Sequence, residues 1–172
     1  MNKILIFLIL TINSVFIFGQ TKWKTISENN FKIEYPDNWE LNKSGQMGTK
    51  FILFSQLSNP SDKFRENINL IIQDLTGSNI TLDEYVEISE NQIRTLVTNG
   101  KIIESRRISE KEFEHQKIIY TGKLGVFDLK FIQCYWVIDS KAFVLTFTTE
   151  INEFDNFIQV GEKIMKSFKI LR

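Results

Sequence analysis

The segment Phe127–Ile138, FDLKFIQCYWVI, limits the possible folds of this chain most sharply. Successive side chains of a strand point to opposite faces. Here Phe127, Leu129, Phe131, Tyr135 and Val137 share one face, while Ile132, Cys134, Trp136 and Ile138 make the other face apolar near its end. Both sides of the sheet that contains it must therefore be covered, which calls for layers on either face. Lys101–Ile108, His115–Leu124 and Lys141–Thr148 read as neighbouring strands with short joints between them. Short joints favour antiparallel neighbours, and Gly122 and Gly125 are expected to supply the positive-φ positions of a hairpin.

Two amphipathic segments supply the cover. Thr81 and Glu84 have the spacing of a capping box, with Ile80 and Tyr85 at the staple positions. A stripe through Leu82, Tyr85, Val86, Ser89, Ile93, Leu96 and Val97 follows at helical period and ends at Asn99–Gly100. A second stripe runs through Phe154, Phe157, Ile158, Gly161, Ile164, Met165 and Phe168, with Asn152 the expected cap. Upstream, a polar lead-in over residues 20–30 precedes a strand in which Phe31, Ile33 and Tyr35 alternate with Lys32 and Glu34, closed by a turn at Pro36 with Trp39 folding back over it. Phe51–Ser55 and the stretch around Ile68, Leu70 and Ile72 read as two more strands. The expectation is an α+β domain with a central, largely antiparallel sheet of about six or seven strands flanked by two main helices.

The first nineteen residues have one positive charge at Lys3, an apolar run from Ile4 to Phe18 and a small residue at Gly19, the layout of a secretory signal. The run is shorter than the about 20 apolar residues a bilayer core needs, and Thr11, Asn13 and Ser14 interrupt it. A signal over residues 1–19 and a single domain over 20–172 are expected, with export to the periplasm or cell exterior and no stable membrane anchor after cleavage. Cleavage leaves 172 − 19 = 153 residues with a net charge of (21 − 1) − 21 = −1. So balanced a chain offers no strong field to nucleic acid. Its single cysteine, Cys134, rules out an intramolecular disulfide.

Four short segments occur in order: Phe31–Trp39 (FKIEYPDNW), Asp62–Leu70 (DKFRENINL), Thr81–Tyr85 (TLDEY) and Ser167–Lys169 (SFK). In these segments and their layout the chain resembles the PsbP/DcrB-like family, whose fold is shared with a yeast Ran-release factor. The resemblance covers nearly all of the chain beyond the signal. It implies a central antiparallel sheet between helices and a non-enzymatic accessory, chaperone or interaction role, and it brings no catalytic residues. The acylated cysteine of DcrB-type lipoproteins has no counterpart here, which counts against a tethered role.

The residues themselves offer little chemistry. His115, the sole histidine, enters a strand and reads as an exposed strand-end residue. With Glu112 and Glu114 beside it, the spacing is not that of a metal site. Cys134 sits in an apolar strand, where a thiol is desolvated and inert. Thr121–Gly125 lacks the upstream glycine of a phosphate-binding loop, and Arg106–Arg107 sends one arginine to each face. No cofactor, metal or catalytic residue is expected. Fifteen phenylalanines exceed what a small core needs and can line a groove between sheet and helix. The leading expectation is a domain that binds another envelope or secreted protein, with Phe64 anchoring the polar loop 58–66 so that Arg65 faces the partner. A carrier of an apolar small molecule in a sheet–helix groove is the alternative, and a small hydrolase built on His115 or on paired carboxylates is a third reading.

Overall fold

The computed structural model describes residues 22–109 and 112–171. The expected signal over 1–19 and its cut after Gly19 lie outside the described residues. In chain order the elements are β1 (Trp23–Glu28), β2 (Phe31–Pro36), β3 (Glu40–Asn42), β4 (Thr49–Phe54), β5 (Asn67–Asp74), α1 (Leu82–Leu96), β6 (Thr98–Ile108), β7 (His115–Leu124), β8 (Phe127–Ile138), β9 (Lys141–Glu150), α2 (Phe154–Lys166) and β10 (Lys169–Ile170). Seven strands form one antiparallel sheet in the order β3-β4-β5-β9-β8-β7-β6, and β1-β2-β10 form a small second sheet.

The expected architecture holds: seven antiparallel strands between two helices. The strand at Phe31, however, belongs to the small sheet. Its partner β1 lies within the stretch read as a polar lead-in, and only Ile26 of β1 is buried, so no alternation marks it. Phe31, Ile33 and Tyr35 of β2 do turn inward, and Trp39 folds back into the same core at 5% exposure.

The two faces of the large sheet bury different cores. On one, Leu53, Ile68, Leu145 and Phe147 meet Ile164 and Phe168 at the C-terminal end of the chain, together with the small sheet. On the other, Val86 and Ile93 of α1 pack on Ile118, Tyr120, Tyr135 and Val144. Strand β8 contributes Ile132, Cys134 and Trp136 to the first and Tyr135 to the second, as its two-sided apolar pattern requires.

Local chemistry sets the ends of the elements. Thr81 Oγ1 accepts from the Glu84 amide at 3.3 Å, and the Glu84 carboxylate accepts from the Thr81 amide at 2.8 Å, completing the capping box. Helix α1 stops at Leu96 and the chain turns into β6 through Asn99, which carries the positive φ of 55°. Gly100 is needed for proximity instead, since a Cβ there would lie 2.1 Å from the Ile93 carbonyl oxygen. Two expectations fail. Gly122 lies inside β7 and has no positive φ; its missing side chain makes room for Val97, and only Gly125 serves the hairpin. Asn152 does not cap α2, because residues Ile151–Glu153 form a 3₁₀ turn that runs into the helix and places Glu153 at the cap position.

Helix α2 is seated on β9 at Gly161, where an added Cβ would be 2.6 Å from a ring carbon of Phe147. A helix about 10 Å across covers roughly two strands spaced about 4.8 Å apart. The sheet continues beyond it through β8, β7 and β6, and that outer part of the face has only the edge of α2 beside it.

Candidate functional site

That uncovered strip forms a cavity of about 320 Å³ between β6–β8 and the C-terminal half of α2. Its wall follows from strand register. Arg106 lies opposite Lys117, and Lys117 opposite Cys134; in the next row Ile108 lies opposite His115. Ile132, Cys134 and Trp136 make an apolar floor, and Met165 and Phe168 close it from the helix side. The Trp136 and Phe168 rings meet at 5.2 Å between centroids.

His115 is part of this wall. It is 6% exposed, and its ring stacks on Trp136 at a centroid distance of 4.7 Å. The expectation of an exposed strand-end histidine is therefore wrong. Position 115 shares the inward face with Lys117 and Ile119, and Trp136 on the adjacent strand covers it. Cys134 is buried, as its apolar strand indicates. What the sequence did not reveal is that this thiol and the imidazole line one cavity. Among the described residues no group of three or more metal-ligating side chains comes together.

The rim is charged. Lys117 Nζ lies 3.3 Å from Glu162 Oε1, and Lys166 Nζ lies 2.9 Å from Glu162 Oε2. The hydrogen bond from Lys166, then that from Lys117, holds the Glu162 carboxyl below its ordinary value despite partial burial. Arg106 reaches the rim from the edge strand and pairs with Glu104 at 2.5 Å on its own strand. Arg107 turns to the opposite face and meets Asp83 of α1, so the two arginines divide between faces as expected.

A second cavity, also of about 320 Å³, lies under α1 among Tyr85, Tyr120 and Tyr135. Tyr85 donates to Gln73 Oε1 at 2.9 Å and Tyr135 donates to Gln133 Oε1, and burial pushes all three phenols up. Its polar groups are thus largely committed to one another.

Phe64 and Arg65 lie outside both cavities. Phe64 is half-buried with its ring 5.2 Å from that of Phe127, so it does anchor its loop. Arg65 is turned along the sheet rather than outward: Nε donates to the Ser55 carbonyl at 2.7 Å, an Nη donates to Glu40 at 2.8 Å, and the guanidinium sits 5.0 Å from the Phe54 ring centroid. Next to it Glu66, which no sequence pattern singled out, is 1% exposed beside Ser55.

No family model and no curated protein matches the chain. Solved structures do. It is similar to the solution structure of the cyanobacterial PsbP protein CyanoP from Synechocystis sp. PCC 6803, with a TM-score of 0.65 and 15% identity over 92% of this chain and 98% of that one. It is similar to LpqN of Mycobacterium tuberculosis, described as involved in cell envelope biogenesis, with a TM-score of 0.65 and 14% identity over 89% of this chain and 92% of that one. A Pseudomonas aeruginosa protein of unknown function matches with a TM-score of 0.61 and 14% identity over 84% of this chain and 94% of that one. At identities of 14–15% such likeness carries the fold alone, and what it establishes is that this chain has the PsbP-like α+β fold.

Proposed function

We propose that this is an exported, non-enzymatic accessory domain that holds a small, largely apolar molecule in the cavity beside α2. The observation that carries the reading is the cavity itself, a space of about 320 Å³ with Trp136, Phe168 and Met165 for walls. Small-ligand pockets begin at about 300 Å³ and are mostly apolar with a few placed polar groups. Among the described residues no helix is long and apolar enough to cross a membrane. Export rests on the signal-like segment 1–19, and the cell-envelope role named for LpqN is in keeping with it.

The test is a cavity-filling variant, Cys134→Phe, compared with the wild type in complementation of a deletion strain and in mass spectrometry of the protein purified from its native host. The wild type should carry a bound small molecule near one equivalent, and the variant should fold, carry none and fail to complement. A filled cavity with full activity would sink the proposal. Cys134→Ala keeps the cavity but removes the thiol, so it should complement; loss of activity in that variant alone would favour thiol chemistry with His115.

A partner protein in the envelope is a second reading, favoured by Leu57, which is 47% exposed where the chain enters the loop that carries Phe64 and Arg65. Capture of a specific envelope protein by the wild type, lost in Leu57→Ser and Arg65→Ala with folding retained, supports that reading. Retained capture in both variants removes this loop from it.

A further inference from the structure

The rim of the cavity is more cationic than its own structure requires. Arg106 and Lys117 stand directly opposite each other on adjacent strands and face the same side. Like charges in that position destabilise a sheet pair. Lys117 is also mostly buried, with its side chain 13% exposed, and its carboxylate contact is the 3.3 Å approach to Glu162, which Lys166 holds more closely at 2.9 Å. Arg106 has Glu104 as its own partner at 2.5 Å, whereas Lys117 and Lys166 share the single carboxylate of Glu162. A buried ammonium that shares its counter-ion is poorly compensated, and an anion brought from outside would complete it.

We infer that the molecule held beside α2 is a single-chain amphiphile with an anionic head, its chain lying against Trp136, Met165 and Phe168 and its head at Arg106, Lys117 and Lys166. This rests on the carrier reading above and names the ligand class. The division of the wall fits the division of such a molecule, with apolar side chains on the floor and cations at the rim. The volume of about 320 Å³ equals about ten water-sized groups at about 30 Å³ each, room for a chain of roughly eight to ten carbons. A smaller hollow of about 130 Å³ adjoins it, sharing Trp136, Lys166 and Phe168, but Glu112 and Lys169 line it beside Phe113 and Ile170, so it is too polar to take a longer chain. Carboxylate and phosphate heads present the same chemistry to this rim. An arginine opposite a lysine accepts either, with bidentate geometry available from the guanidinium.

The experiment is calorimetric titration of the protein with decanoate, monodecyl phosphate, decan-1-ol and decyltrimethylammonium, each below its micelle concentration. Both anions should bind at least about ten-fold tighter than the alcohol, equivalent to about 1.4 kcal/mol, and the cation should bind weakest. Whichever anion binds tighter identifies the head. Lys117→Gln should bring the anions to within about three-fold of the alcohol while leaving the alcohol unchanged. Arg106→Gln, at an exposed position with 57% side-chain exposure, should lower anion affinity with at most the small change in stability that an exposed ion pair contributes, which covers the case in which the Lys117 variant folds poorly. Equal binding of decanol and decanoate, or anion binding indifferent to both substitutions, overturns the anionic head and leaves the carrier reading standing. Binding of none of the four probes, with Cys134→Phe fully active in complementation, overturns the carrier reading as well.

Discussion

Gly161→Ala separates what helix propensity says of this chain from what its packing says. In the interior of α2, alanine should stabilise over glycine by about 0.8–1.0 kcal/mol. The structure reverses that sign. An ideal Cβ at Gly161 would stand 2.6, 2.7 and 2.9 Å from three carbons of the Phe147 ring. Carbon atoms at rest sit about 3.5–4.0 Å apart, so ring or helix must retreat by about 1 Å. Phe147 is 0% exposed on the central strand β9, and the ring has no free direction in which to move. Overpacking costs about 1–3 kcal/mol, and a ring with no free direction puts this site in the upper half of that range, at about 2–3 kcal/mol. Less the propensity gain, the variant should lose about 1–2 kcal/mol, equivalent to a fall in Tm of roughly 2–8 °C for a domain of this size. Urea melts and thermal scans of the two proteins measure it. Phe147→Leu frees the space, so the double variant should be less destabilised than the sum of the single ones by about 1 kcal/mol, a coupling that double-mutant cycles detect. An alanine variant as stable as the wild type or more so would refute the seating of α2 on β9, and with it the account of why the cavity opens beyond that helix.

Three further outcomes are expected. Glu66 accepts a hydrogen bond from Ser55 at 3.2 Å, but its Oε1 has no hydrogen-bond partner, and burial pushes its carboxyl above the ordinary 4.5. A folded-state value raised in this way contributes stability that is fully present below pH 4.5 and is lost as pH rises through the folded value. Glu66→Gln should therefore gain roughly 1 kcal/mol at pH 7 and lose that advantage in melts at pH 4; an equal loss at both pH values would contradict it. At the loop, Phe64→Ala should cost about 1–2 kcal/mol, below the 3–5 of a fully buried phenylalanine, and Arg65→Ala about 1 kcal/mol through its charge-assisted bond to the Ser55 carbonyl. Denaturant melts of Arg65→Ala indistinguishable from wild type would show that those contacts contribute nothing. Cys134, buried at 7% exposure, should react with iodoacetamide at least roughly ten-fold slower in the native protein than in urea. A cavity ligand should slow it again, and a native rate equal to the unfolded one would mean that the thiol is open to solvent.

The sequence by itself determined which faces exist. Alternation at Phe127–Ile138 required cover on both sides, and two stripes at helical period supplied it. The capping box at Thr81 and Glu84 was legible because its partners are three residues apart and the hydrogen bonds are local. Tertiary structure decided the rest, because period gives a side chain its face but not its neighbour. Nothing in TISE distinguishes an edge strand from a polar lead-in, and β1 exists because β2 offers it a hydrogen-bonding edge. His115 is buried because strand register sets it beside Trp136, a residue 21 positions later that its own surroundings do not announce. Arg106 and Lys117 face each other for the same reason, and with Gly161 fixing α2 over β9 they turn an ordinary helix edge into a charged rim above an apolar floor.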